Sequence, residues 1–148
     1  GVHPSELVGK VLTSIRASKS HPTVTLHFAD RSAFQIRVDG YSPTHPGVPK
    51  TIETSPELAS LLSADGHAEV GHTVAKAAVI NMTDKAFERG DRNSNWDQRH
   101  AGVAFKFQHE ERWHCVWAAL EEFDDAGQCT FKSFNDVYLE QLATPRSQ

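Results

Sequence analysis

The chain has 148 residues and is short of several features, each of which removes a class of protein. Its two cysteines are too few for the disulfide framework that holds small secreted domains together. No apolar run approaches the roughly 20 residues that a membrane-crossing helix needs. Positive charge is in deficit: fifteen Lys and Arg against nineteen Asp and Glu leave a formal charge of −4. That argues against a nucleic-acid binder working through summed positive charge. The opening residues Gly1-Val2-His3-Pro4-Ser5 lack the basic head and apolar stretch of a secretory signal. There are no internal repeats and no heptads. The Gly-x-Ser-x-Gly elbow, the phosphate-binding P-loop and the Gly-x-Gly-x-x-Gly turn are all missing.

The nine histidines are spread along the chain without a Cys-x-x-Cys companion. His67-Ala68-Glu69-Val70-Gly71-His72 spaces its histidines five apart, whereas the zinc-helix motif needs four. No metal and no other cofactor is expected. Hydrophobic residues at 39% and charged residues at 23% sit close to ordinary folded-domain values. The length predicts a single domain over residues 1–142, followed by a polar tail over 143–148.

What the chain does have is alternation with period two, the mark of a strand buried on one face. Val24, Leu26 and Phe28 alternate with Thr23, Thr25 and His27, and Phe34, Ile36 and Val38 alternate with Ala33, Gln35 and Arg37. Asp30-Arg31-Ser32 reads as the hairpin loop between them. Matching apolar faces pairs Phe28 with Phe34, Leu26 with Ile36 and Val24 with Val38, which sets His27 opposite Gln35 and Thr25 opposite Arg37. Val11, Thr13 and Ile15 form a preceding strand.

A second meander follows the same pattern. Val103, Phe105 and Phe107 face Trp117, Cys115 and Trp113 on the apolar side, leaving Lys106 opposite His114 on the other. The strand runs on to Phe123 and returns through Cys129 and Phe131. Cys129 then lies opposite Phe123, far along the ladder from Cys115, and two cysteines bridge only when their Cα atoms are within about 7 Å. Two free thiols and no visible signal point to a cytoplasmic, intracellular protein.

Helix signals are fewer. Ser55-Pro56-Glu57 opens one that Gly66 can end, Thr83 to Arg89 is a short candidate, and Ser133-Phe134-Asn135-Asp136 opens a C-terminal one. Val70 to Met82 fits either helix or strand. Tyr41 to Lys50 and Gly90 to His100 read as long irregular loops. The two overlapping Pro-x-x-Pro spacings of the first suit a rigid crossover better than a polyproline ligand. The expected fold is α+β: an antiparallel sheet of about six strands in two meanders, with two to four short helices packed on it.

A sheet face carrying His27, Gln35, Arg37, Lys106 and His114 among small residues has the make-up of a ligand cup. His27 and His114 are the acid/base candidates, because imidazole changes charge near neutral pH. Arg37, Gln35 and Lys106 would bind an anionic or carbonyl group. Asp91-Arg92-Asn93-Ser94-Asn95-Trp96-Asp97 starts like a calcium loop, but Trp96 stands at the sharp-turn glycine and Gly102 at the final glutamate, so it reads as a polar turn. Asp91 and Trp96 there can contact a sugar or another flat ligand. The leading expectation is a small-ligand-binding domain, with cofactor-independent histidine catalysis as its enzymatic form. The alternative is a non-catalytic module that recognises carbohydrate or protein through the Trp96 loop. The expected partner is a small molecule, not nucleic acid or membrane, with homo-oligomerisation left open.

Overall fold

The computed structural model describes residues 1–18, 20–40, 44, 51–88 and 91–143, and leaves aside the side chains of 85–88, 91–94, 120–123 and 129–133. The described residues make nine strands: β1 (Val11–Ser18), β2 (Thr23–Phe28), β3 (Ala33–Val38), β4 (Thr51–Thr54), β5 (His67–Glu88), β6 (Asp91–Phe107), β7 (His114–Phe123), β8 (Cys129–Asn135) and β9 (Val137–Gln141). One short helix, α1 (Pro56–Ala59), and a 3-10 turn over Pro4–Leu7 complete the described elements. The fold is therefore nearly all-β, with 61% strand and 7% helix, and the α+β expectation is overturned. The antiparallel character is as expected.

All the strands join one antiparallel sheet in the order β4-β7-β6-β5-β1-β2-β3-β9, with β8 pairing β7 off that path. The long β5 links the two halves. Its residues from His67 to Thr73 pair β1, and those from Val74 to Glu88 pair β6. The change of partner coincides with a register irregularity between Val74 and Lys76, a bulge of the kind that bends a sheet. A second irregularity lies between Leu12 and Ser14 of β1.

The inward side chains of both halves form one hydrophobic cluster. Leu12, Ile15, Val24, Leu26, Phe34, Ile36 and Leu139 come from one half, and Val103, Phe105, Phe107, Val116 and Ala118 from the other. Leu7 and Leu58 cover it from the 3-10 turn and α1. Within β6, Gly102 has no room for a side chain, since an added Cβ would lie 2.7 Å from Ile80 Cγ1 and 3.0 Å from the Val116 carbonyl oxygen.

Two of the expected helices are strands in the structure: Thr83 onward continues β5, and the C-terminal candidate is the end of β8 plus β9. Val70 to Met82, open between helix and strand in the sequence, is the middle of β5. The stretch from Asp91 to His100 is β6 rather than a loop. For the expected helices the cause is that helix propensity differs by only tenths of a kcal/mol per residue, and a neighbouring strand edge outweighs it. Only Pro56–Ala59 of the first candidate is helical, with Pro56 in the first turn and no side-chain cap from Ser55.

Both hairpin registers differ from the expectation. In β2–β3 the pairs are Val24 with Ile36, Leu26 with Phe34 and His27 with Ala33, a slip of two residues that keeps every face. In β6–β7 the pairs are Val103 with Val116, Ala104 with Cys115 and Phe105 with His114, a slip of one that turns β7 over. The Cys129–Phe123 pairing is as expected. None of the described helices is long and apolar enough to cross a membrane.

Candidate functional site

The sequence-derived candidates fall in four separate places. His27, Gln35 and Arg37 lie on the outer face of β2 and β3. His27 is exposed, while Gln35 and Arg37 are half-buried. Gln35 pairs with Thr25, not His27, and its Nε2 donates to Thr25 Oγ1 at 3.0 Å. Arg37 Nε donates to Gln35 Oε1 at 2.7 Å. Lys106 lies on the outer face of β6, directly opposite Lys76 rather than His114.

His114 belongs to the inner face. Turning β7 over carries it into the core at 4% exposure, while Cys115 and Trp117 face outward and Trp113 is 38% exposed. Its ring stacks on Phe105 at 5.5 Å between centroids and lies 4.9 Å from the Phe107 ring. The imidazole Nε2 is 3.1 Å from Glu110 Oε2, and a ring N–H there donates to the carboxylate. Nδ1 is buried against the Phe105 and Phe107 rings, with no hydrogen-bond partner among the described residues. A general base must reach the proton that it takes, and this nitrogen does not. His27 and His114 thus sit on opposite faces of the sheet, and the structure does not bring them to one site.

Beside His114 runs a groove of about 360 Å³, lined by Glu57, Ser60, Leu61, Glu110, Glu111 and Arg112 as well as His114. The carboxylates here give the groove its chemistry, and His114 holds Glu110 in position. Cys115 lies close by, its backbone N–H donating to Ser55 Oγ at 3.0 Å. Burial, and then the charge of Glu57, push its thiol above the ordinary range. A thiol held protonated is a poor nucleophile. Trp117 on the same outward face donates its indole N–H to Glu53 Oε2 at 2.6 Å.

Trp96 is on β6, opposite Ala86, and is 48% exposed. Asn95 and Asp97 beside it are exposed as well. Asp91 begins β6, and its side chain lies outside the described residues. Since β6 pairs β7 only at Val103, Ala104 and Phe105 among the described residues, the stretch around Trp96 has β5 as its strand partner there. The result is a two-stranded arm with an aromatic side chain on its surface.

At the base of that arm is a cluster that reading the sequence missed. His100 on β6 places Nε2 3.0 Å from Asp84 Oδ1 on β5 and Nδ1 3.7 Å from Asp136 Oδ1 at the β8–β9 junction. Asp84 Oδ2 accepts the Phe134 N–H at 3.2 Å, and Asp136 Oδ1 accepts the Ala101 N–H at 2.7 Å. Apolar alternation is confined to Val103, Phe105 and Phe107, and the polar run from Asp91 to His100 carries no such signal, so the sequence does not mark His100 as diagonal to Asp84 across a strand pair. Reading that run as a loop hid the pair. Comparison with protein-family models, with curated proteins and with solved structures finds no match.

Proposed function

We propose that this protein is a non-catalytic recognition module that docks a protein segment against the β5–β6 arm, with Trp96 as the anchor. The observation that carries the reading is Trp96 itself, 48% exposed on a stretch of β6 that no strand but β5 pairs among the described residues. An exposed tryptophan offers a large apolar face and an N–H donor, which is why this residue anchors interfaces so often. The strand edge beside it can add main-chain hydrogen bonds to an extended peptide. The charge of −4 does not favour nucleic acid as the partner.

The test is selection from a peptide display library and a glycan array with wild type, Trp96→Ala and Trp113→Ala. Ligands lost with Trp96→Ala and kept with Trp113→Ala support the reading. Ligands that Trp96→Ala still binds overturn it, and glycans without peptides would make the partner a sugar.

A small-ligand reading remains as the second, moved from the outer sheet face to the groove beside His114. It is favoured by the Glu110–His114 pair on the groove wall. Thermal-shift screening of small amines against wild type and Glu110→Gln tests it. Stabilisation by an amine that Glu110→Gln abolishes is the expected result, and equal shifts in both proteins would remove it. We further propose a cytoplasmic location. Cys115 is a free thiol, and the β7–β8 register sets Cys129 at Phe123, eight residues along from Cys115. At about 3.3 Å per residue that separation is far beyond disulfide reach.

A further inference from the structure

We propose that His100 is a proton-dependent latch that fastens the base of the β5–β6 arm to the β8–β9 junction. The geometry has three parts. Both ring nitrogens of His100 face carboxylates, Asp84 at 3.0 Å and Asp136 at 3.7 Å, and the two carboxylates come from different elements. The side chains of His100 and Asp84 are 16% and 9% exposed, so water competes weakly for that bond. Each carboxylate also binds a backbone N–H on another strand: Asp84 that of Phe134 in β8, and Asp136 that of Ala101 in β6. Two carboxylates and one imidazole therefore tie β5, β6, β8 and the start of β9 together at one point.

The proton count makes this a switch. Neutral imidazole carries one N–H and can donate to one of the two carboxylates. The imidazolium carries two and can donate to both, with charge attraction added on each side. The 3.7 Å separation at Nδ1 is ion-pair distance rather than a hydrogen bond, so this side depends on the ring's charge. Other charged groups near the junction are Asp39, whose backbone N–H donates to the Asp136 carbonyl at 2.9 Å, and the Gly1 amine, which lies 3.6 Å from Glu140. Asp39, Asp136 and Gly1 line one groove there. Imidazole is the side chain whose charge ordinarily changes between about pH 5 and 8, so the latch closes on acidification and loosens as pH rises. It holds the base of the arm that carries Trp96, whatever Trp96 contacts.

An NMR titration of the intact protein from pH 5 to 8 tests the latch, following the His100 ring and the Ala101 and Phe134 amides. The two amides should shift with the same midpoint as the ring. Asp136→Asn keeps an oxygen for the Ala101 N–H and loses the charge that holds the imidazolium, so the ring midpoint should fall relative to wild type. His100→Gln should remove the pH-dependent shifts at both amides. Amides that stay still while the ring titrates would overturn the latch. An unchanged midpoint in Asp136→Asn would do the same, and that variant serves even where His100→Gln does not fold.

Discussion

The β2–β3 and β6–β7 hairpins start from the same kind of sequence and end differently. Each joins two alternating segments, and each pairs out of the register that apolar matching predicts. In β2–β3 the slip is two residues, so the inner set of Val24, Leu26, Phe34 and Ile36 stays inside. In β6–β7 the slip is one, and the strand that should have buried two tryptophans buries His114, Val116 and Ala118. The difference lies in the loops. Arg31 adopts φ 69° and its N–H bonds to the Phe28 carbonyl, which closes the first hairpin as a tight three-residue turn. The six-residue connection from 108 to 113 includes His109 at φ 67°, and the strand it delivers has the opposite parity. An even slip leaves an alternating pattern matched face to face, whereas an odd slip changes which residues face the core.

The sharpest way to break the comparison is to remove a shared core aromatic from each half. Phe34→Ala and Phe105→Ala, at 1% and 0% exposure, should each cost about 3–5 kcal/mol in denaturant unfolding. A loss confined to one variant would mean that the halves do not share the cluster. Next in size is the contrast between the two histidines. His114→Ala should cost about 2 kcal/mol or more, because it empties a place between Phe105 and Phe107. His27→Ala, on the exposed face, should stay within about 0.5 kcal/mol. Equal costs would return β7 to the face expected from the apolar pattern.

Trp117→Ala gives a third and smaller effect. Half-buried and outward, it should cost about 1–2 kcal/mol, mostly through the lost bond to Glu53 and partial packing. A cost matching Phe105→Ala would place Trp117 in the core.

The smallest effect concerns the first hairpin's loop. Asp30 bonds to Lys10 and to the Ser32 hydroxyl and backbone N–H, and these bonds hold its carboxyl well below the usual carboxylate range. A lowered value in the folded state gives stability that is full above the unfolded carboxylate value, near 3.9, and is lost as pH falls toward the folded one. Solvent screening at this exposed loop keeps the effect slight. The thermal midpoint of Asp30→Asn should fall less steeply than that of wild type below about pH 4. Parallel slopes would show that the Asp30 bonds do not outlast its surroundings.

The candidate site was legible only in pieces. His114 stood out as a histidine on an alternating strand, but nothing in the sequence joined Glu110 to it, because that bond depends on which way β7 faces. His100, Asp84 and Asp136 are separated by 16 and 36 positions, and nothing local marks them. They meet because β5 and β6 pair for most of their length and the β8–β9 junction returns to their base.

The amino-acid pattern by itself determined the antiparallel strands of the first hairpin, the residues of β2 and β3 that turn inward, and the separation of the two cysteines. Those follow from period-two alternation and chain geometry, which act residue by residue. The tertiary structure decided the rest: that the ambiguous middle is a 22-residue strand, that the C-terminal segment is β9 and not a helix, and that β7 presents His114 to the core. In each of these, local preferences differ by tenths of a kcal/mol while pairing with a neighbouring strand and burial against the shared core are worth several.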